Sequence, residues 1–184
     1  MRMPIVRPTR QQLLDVRNAR VPDLIASGLK VLFVGINPSV YSAVVGHHFA
    51  RPGNRFWPAL HVAGLTPRVL RPDEEGEMLR LGFGITNVVD RATVAADELE
   101  PAEYVAGAKA LARKVRRYAP RVVAFLGVGA YRTAFDRPQA PLGRQPQPVG
   151  AAIAWVLPNP SGLNAHYQLP ALGRLYGELR TVWE

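Results

Sequence analysis

Two asparagines occupy the positions in this sequence that are best suited to chemistry. Asn37 and Asn159 each precede a proline, and each follows an apolar run, at residues 30–35 and 152–157. A proline after such a run forces a turn and leaves the preceding side chain at the edge of a sheet. An amide is not a strong base, but it donates and accepts hydrogen bonds and can therefore orient a water molecule. The pattern indicates a polar site at two strand ends.

One such asparagine is more often a turn-stabilising residue than a functional one. Two of them favour a site, because an aromatic-rich loop lies between them. That loop contains Tyr41, Phe49, Phe56 and Trp57. Asp90 follows a further predicted strand, at residues 84–89, and is the carboxylate best placed to activate a water at the same edge. An ion pair with Arg91 or with another arginine is the alternative for Asp90.

The residue types argue against metal and cofactor chemistry. Cysteine is absent, which excludes thiolate metal sites and cysteine nucleophiles, and the four histidines show no ligand spacing. We therefore expect neither a metal nor a cofactor. The segment from Gly127 to Arg132 is a partial dinucleotide-binding motif with arginine in place of the third glycine. A tight turn between a strand and a helix is the simpler interpretation of that segment, and a nucleotide-dependent enzyme is the alternative.

The charge distribution favours a polyanionic partner. The chain has 184 residues and a formal net charge of +9. Residues 1–72 carry a net +8 and residues 104–184 a net +8, whereas residues 73–103 carry a net −7. If the two basic segments share a face, that face attracts nucleic acid. A generally basic enzyme is the alternative that charge alone leaves open.

Alternating strands and helices must position these residues. Four apolar runs predict buried parallel strands, and the helical patterns between them predict a three-layer α/β/α sandwich with a mostly parallel sheet of about four strands. In such sheets ligands bind outside the carboxyl ends of the strands. The strands are predicted at 30–35, 84–89, 121–127 and 152–157, helices at 9–18, 55–63, 73–81, 101–118, 128–135 and 169–182, and long loops at 36–53 and 138–148.

The length fits a single domain. We expect a basic N-terminal arm at residues 1–28 and one catalytic domain at residues 29–184. The N-terminus has no apolar signal region and no run is long enough to cross a membrane. We therefore expect a cytoplasmic, monomeric protein with no membrane partner.

From about residue 21 to the C-terminus, the sequence resembles the mismatch-specific uracil/thymine-DNA glycosylase family, within the uracil-DNA glycosylase superfamily. Four segments carry the resemblance in order, and they read VLFVGINPS, FARPGNRFW, GITNVVDRAT and WVLPNPSGL. Each is weak alone, but the series is specific. The resemblance implies a bacterial, monofunctional DNA glycosylase that acts on double-stranded DNA and removes uracil opposite guanine. Whether it also removes other damaged pyrimidines stays open, as does the alternative of a DNA-binding member with poor catalysis.

The resemblance also implies roles for individual residues. Asn37 matches the asparagine that positions the hydrolytic water, and Asp90 matches an acidic position. Phe49 matches the aromatic ring that stacks on the flipped base. Ile36 and Ser42 match the base pocket, and Ser39 lies at a further pocket position. Asn159, Ser161, Gly162 and Leu163 match the DNA insertion loop, and Asn164 follows it. Leu163 is the wedge that fills the gap in the duplex.

Two positions depart from the family pattern. Ser39 stands where the family often has glycine, which changes the expected width of the pocket. Asn164 and Ala165 stand where bacterial members tend to have serine and arginine, so we expect Asn164 or His166 to replace a lost arginine contact with DNA.

Overall fold

One five-stranded sheet forms the centre of the computed structural model, which describes residues 7–184. Residues 1–6 of the predicted basic arm lie outside this range. The strands are β1 (Val31–Gly35), β2 (Phe83–Asn87), β3 (Val122–Leu126), β4 (Gly143–Arg144) and β5 (Ile153–Leu157). Their spatial order is β2-β1-β3-β5-β4, and every neighbouring pair is parallel except β5 with β4. The predicted α/β fold with a mostly parallel sheet is confirmed.

Helices connect the strands on both faces of the sheet. They are α1 (Arg10–Asp15), α2 (Val40–Val45), α3 (Phe56–Val62), α4 (Glu77–Leu81), α5 (Pro101–Tyr118), α6 (Val128–Phe135) and α7 (Leu169–Gly177). Short 3₁₀ turns lie at Pro72–Glu74, Ala96–Glu98 and Glu178–Val182. The predicted last helix therefore ends early, at Gly177, and a 3₁₀ turn continues it.

Alternating side chains of the strands form two apolar cores. On one face, Phe33 of β1 packs with α3, α4 and α7, whose buried residues include Phe56, Met78 and Tyr176. On the other face, Phe125 of β3 packs with α5 and α6. Because both faces are covered, the four parallel strands are buried along almost their whole length.

Two segments that the sequence predicts as loops contain regular structure. Helix α2 begins after Ser39, whose hydroxyl accepts a hydrogen bond from the backbone amide of Ser42. The helix ends at Gly46, which has a left-handed φ of 75°. Strand β4 adds an antiparallel edge next to β5, and the amide of Gln145 donates to the carbonyl of Ala154 at 2.9 Å. The interpretation of residues 36–53 and 138–148 as irregular was therefore wrong in these places.

Part of the predicted N-terminal arm is joined to the sheet. Leu24 forms an antiparallel bridge with Ile85 of β2, and their backbone hydrogen bonds measure 2.9 and 2.8 Å. Val21 is buried. Residues 20–28 therefore pack along β2 rather than extending away from the domain.

The chain order creates a gap for a ligand at the carboxyl ends of β1 and β3. The connection that leaves β1 leads to β2 on one side, whereas the connection that leaves β3 leads to β5 on the other side. Such a switch point separates the two connections and opens a crevice between them. Within residues 7–184, none of the helices combines the length and hydropathy that crossing a membrane requires.

Candidate functional site

A cleft of about 240 Å³ lies at this switch point. It is formed by the segments that follow β1 and β5, by the end of β3 and by residues 93–96. The cleft brings together seven of the predicted site residues: Ile36, Asn37, Ser39, Phe49, Asn159, Ser161 and Leu163. Residues from four distant parts of the sequence therefore meet at one place.

The amide of Asn37 has a fixed orientation in this cleft. Its nitrogen Nδ2 donates to the carbonyl oxygen of Arg91 at 3.0 Å and to Oγ1 of Thr93 at 2.8 Å. A carbonyl can only accept, so nitrogen must occupy this side of the amide. Both N–H groups are then used by the protein, whereas Oδ1 has no hydrogen-bond partner within residues 7–184 and is available to a water or a substrate.

A smaller cavity of about 50 Å³ adjoins the cleft and shares Asn37, Ser39 and Phe49 with it. Its other walls include Ser42 and Asn87. This volume is large enough for a water molecule. Predicted pocket residue Ser42 therefore lies at this inner cavity rather than in the open cleft. Its hydroxyl accepts the amide of Ala50 at 3.2 Å and fixes the loop that carries Phe49.

Phe49 has a backbone conformation that is rare for an aromatic residue. Its φ is 51°, in the left-handed region, where a side chain is strained. The ring packs on Phe56 with a centroid distance of 4.1 Å and an interplanar angle of 30°, and it also lines the cleft. The loop therefore holds a flat aromatic surface at the site in spite of an unfavourable backbone conformation at Phe49.

Gly35 lets Phe49 and Asn87 approach the end of β1. A Cβ atom at Gly35 would lie 2.5 Å from Oδ1 of Asn87 and 3.2 Å from the ring of Phe49. Any side chain at this position would therefore displace both groups from the inner cavity.

The predicted insertion loop, residues 159–164, is held by its own polar groups. The amide of Ser161 donates to Oδ1 of Asn159 at 2.9 Å, and Nδ2 of Asn164 donates to the carbonyl of Asn159 at 2.9 Å. Gly162 lies against Gly53, whose carbonyl would be 2.6 Å from a Cβ at position 162. Leu163 is 78% exposed at the mouth of the cleft.

The side chain of Asn164 forms its hydrogen bonds within this loop and with His166, just after it. Besides its bond to Asn159, its Oδ1 accepts the amide of His166 at 3.1 Å. Both ends of the amide thus have partners within the protein, and the predicted DNA contact of Asn164 stays a prediction without support from this geometry.

Asp90 lies apart from the cleft. It borders a separate cavity of about 320 Å³ between the end of β2 and α5. Its carboxylate lies 3.7 Å from Arg20 and 3.7 Å from Lys114, whereas Arg91 pairs with Glu103 at 2.6 Å. Asp90 therefore does not line the cleft, although the carbonyl of its neighbour Arg91 accepts a hydrogen bond from Asn37. The ion-pair alternative for Asp90 agrees with the geometry, with partners other than Arg91.

Three polar residues of the site were missed by the sequence analysis. Thr93, Asn87 and Arg51 line the cleft or its inner cavity. The polar end of β2, which reads Thr86-Asn87, was a usable signal for Asn87. For Thr93 no local signal exists, because its contact with Asn37 joins residues 56 positions apart.

His48 forms the buried rear wall of the inner cavity. Its ring nitrogen Nε2 lies 2.8 Å from the carbonyl of Pro22, and its backbone amide donates to Glu75 at 2.9 Å. Burial lowers the pKa of His48, although Pro22 and the carboxylates of Glu75 and Asp23 act in the opposite direction. His48 is therefore a neutral ring near pH 7.

Among the residues that the structure describes, no three His, Asp or Glu side chains are grouped as metal ligands. The partial dinucleotide motif forms a tight turn, in which Gly127 precedes α6 with a φ of 144°. The cleft includes Leu126 but neither Gly127 nor Gly129. The residues of this cleft offer amide, hydroxyl and aromatic groups and the guanidinium of Arg51 for binding.

Comparison with known proteins agrees with this arrangement. Residues 22–180 match the family model described as the uracil DNA glycosylase superfamily. The fold is similar to the solution NMR structure of a protein from Methanosarcina acetivorans that is described as a candidate uracil DNA glycosylase. The two share 19% sequence identity with a TM-score of 0.55, and the match covers 92% of this chain and 99% of the other. On the match over residues 22–180, this chain belongs to the uracil DNA glycosylase superfamily.

Proposed function

We propose that this protein is a DNA glycosylase that hydrolyses the bond between uracil and deoxyribose in DNA, as the first step of base excision repair. The observation that carries the proposal is the shared cleft. There the free amide oxygen of Asn37, the ring of Phe49 and the exposed Leu163 border one space of about 240 Å³.

The cleft is suited to a base that has left the DNA stack. A base in a duplex cannot be reached, so such an enzyme must extrude it at a cost of a few kcal/mol. Phe49 offers an aromatic face to the extruded base, and Leu163 is a solvent-exposed apolar side chain that can occupy the vacated gap. When the uracil rotates out of the duplex, Phe49 receives the base and Leu163 fills the space that the base leaves.

Asn37 can position the nucleophile. A water that donates to its Oδ1 turns a lone pair away from the amide, toward the sugar of a base seated on Phe49. In the reaction the C1′–N1 bond breaks and its electron pair leaves with uracil. The water oxygen then bonds to C1′, and its proton is released to solvent. Stabilisation of the departing anion is assigned to backbone N–H groups near Ile36 and Ser39.

Asp90 is not required in this scheme. An oxocarbenium-like sugar is a strong electrophile, so an oriented water can attack it without a strong base. The ion pairs of Asp90 with Arg20 and Lys114 instead favour a structural role for its carboxylate.

DNA binding is supported by the charge. The formal net charge of +9 attracts phosphates. Several acidic side chains of the central segment are neutralised by arginines, as in the pairs Arg68–Glu74 and Arg71–Asp73. We extend the proposal to uracil opposite guanine, because the four sequence segments resemble the mismatch-specific family.

Release of uracil from oligonucleotides in EDTA tests the function. We expect excision from U·G duplexes without added metal, weaker excision from U·A duplexes, and loss of excision in Asn37→Ala. Binding of U·G duplexes without excision would favour a DNA-binding member with poor catalysis. Nucleotide binding measured by calorimetry, with no excision, would favour the alternative of a nucleotide-dependent enzyme that binds its nucleotide at the turn of Gly127. Loss of excision in EDTA that a metal restores would overturn the metal-free mechanism.

A further inference from the structure

Arg55 joins helix α3 to the insertion loop. Its Nη2 donates to the carbonyl of Ser161 at 2.6 Å and to that of Asn164 at 2.7 Å. Its Nη1 donates to Oε1 of Gln168 at 3.0 Å. The backbone amide of Arg55 also donates to the carbonyl of Pro160 at 2.9 Å. A single residue therefore holds the loop at both ends and also links it to Gln168, which precedes α7.

The two carbonyls that share Nη2 flank Leu163. Because Leu163 is 78% exposed, packing of its own side chain contributes little to its position. The position of Leu163 depends instead on the backbone of residues 161–164, and the guanidinium fixes the distance between the ends of that segment. Charge-assisted hydrogen bonds of this kind are stronger than neutral ones.

Partial burial of the Arg55 guanidinium in this contact has an energetic cost that an exposed surface contact would not have. The Nε atom of Arg55 is buried without a hydrogen-bond partner among the described residues. Leaving a buried donor unpaired is unfavourable. The close contact of Gly162 with Gly53 shows independently that this loop is pressed against the segment that carries Arg55.

We propose that Arg55 is a positioning residue for base extrusion, which acts by holding Leu163 at the mouth of the cleft. The proposal rests on the proposed function. A wedge must enter the stack at a defined place relative to Phe49, and a displacement of about 1 Å in a positioned group can cost up to about 100-fold in rate. The role of Arg55 is therefore specific to DNA in which the uracil is still stacked.

Single-turnover excision on two substrates tests the proposal. One is a fully paired duplex with a U·G mismatch, and the other has the uracil in an unpaired bubble. We expect Arg55→Met to slow excision from the duplex by about 10-fold or more, and from the bubble much less. Arg55→Lys should recover part of the duplex rate, because its ammonium still donates to a carbonyl. Arg174→Met, on the exposed side of α7, is the matched control and should resemble the wild type on both substrates.

A double mutant separates positioning from general stability. If Arg55 acts through Leu163, Arg55→Met should cost little in a Leu163→Ala background, because the wedge is already gone. Equal losses on duplex and bubble would overturn the proposal, as would full additivity of the two substitutions.

Hydrogen exchange of the free protein tests the role of Arg55 in the loop separately from the proposed glycosylase activity. Arg55→Met should raise amide exchange in residues 159–168 while leaving exchange in the sheet unchanged. If the wild type releases no uracil, the proposed function fails, and exchange still shows whether Arg55 holds the loop. Unchanged exchange in residues 159–168 would overturn the role of Arg55 even in an active enzyme.

Discussion

The side-chain amide of Asn37 donates to the hydroxyl of Thr93 across 2.8 Å, and this contact joins the turn after β1 to the segment after β2. With the second bond, to the carbonyl of Arg91, it fixes which end of the amide faces the cleft. In the part of the chain that the structure describes, the oxygen Oδ1 is the one group of this amide without a partner. The chemical role of Asn37 therefore depends on residues that lie more than 50 positions away in the sequence.

Asn37→Ala should reduce single-turnover excision by about 100- to 1,000-fold, because it removes the acceptor that orients the water. Affinity for DNA should be retained, since the side chain binds no phosphate in this scheme. Single-turnover kinetics and titration of a duplex that contains an abasic site measure the two effects separately. A rate near that of the wild type would contradict the assignment of Asn37.

Thr93→Val should reduce excision by about 5- to 10-fold, because the valine has the shape of threonine but cannot accept from Asn37. The second bond, to Arg91, keeps the amide partly oriented, so the loss is smaller than in Asn37→Ala. Thr93→Ser keeps the hydroxyl and is the matched control. An equal loss in the serine and valine variants would show that packing, rather than the hydrogen bond, is responsible.

Leu163→Ala should weaken base extrusion while leaving the stability of the protein unchanged, because the side chain is 78% exposed. Fluorescence of 2-aminopurine placed beside the uracil reports extrusion, and thermal unfolding reports stability. Val69→Ala removes another exposed apolar side chain, which is 48% exposed and lies outside the cleft, and this variant should extrude the base normally. Normal extrusion by Leu163→Ala would exclude its role as the wedge.

Borohydride should trap no covalent complex with uracil DNA, because strand cleavage by a glycosylase needs an amine nucleophile. Lys114 is held 2.7 Å from Asp23 and also donates to Thr86. Lys30 precedes β1 and so lies at the end of the sheet away from the cleft, and Lys109 is on α5. Strand breaks should appear only after hot alkali. An adduct mapped to a lysine or to the N-terminal amine would refute a monofunctional mechanism.

The protein should lose stability as the pH falls below about 6.5, in part because of His48. Burial lowers the pKa of His48 in the fold, so below the ordinary histidine pKa the unfolded chain binds more protons than the folded one. The groups that face His48 are Glu75, Asp23 and His47, and none of them removes the dominant effect of burial.

Urea unfolding over this pH range measures the loss. His48→Gln should flatten the pH dependence, whereas His166→Gln, at an exposed position, should keep the wild-type slope. The same slope in the His48 variant and the wild type would assign the effect to other groups.

The elements that depend on continuous local patterns could be predicted from the sequence. Four runs of apolar residues predicted the four parallel strands, because strands covered on both faces need no alternation. The boundaries of α5, Pro101 and Tyr118, agree with the prediction, since a proline begins this helix and a regular apolar stripe continues it. Helix α2 was missed because Val40–Val45 contains β-branched residues, which disfavour a helix, and its stability depends on the cap at Ser39.

The sequence by itself determined which residue types stand at the ends of the strands, because each strand and the turn after it are local. It placed Asn37 and Asn159 at such ends, and it placed Asp90 just past another, with an ion pair as the alternative. Only the tertiary structure decided which of these ends share a space. The strand order places the ends of β1, β3 and β5 around one cleft, whereas Asp90, which follows β2, pairs with Arg20 and with Lys114 of α5. Both outcomes depend on contacts between distant segments, which short sequence patterns do not encode.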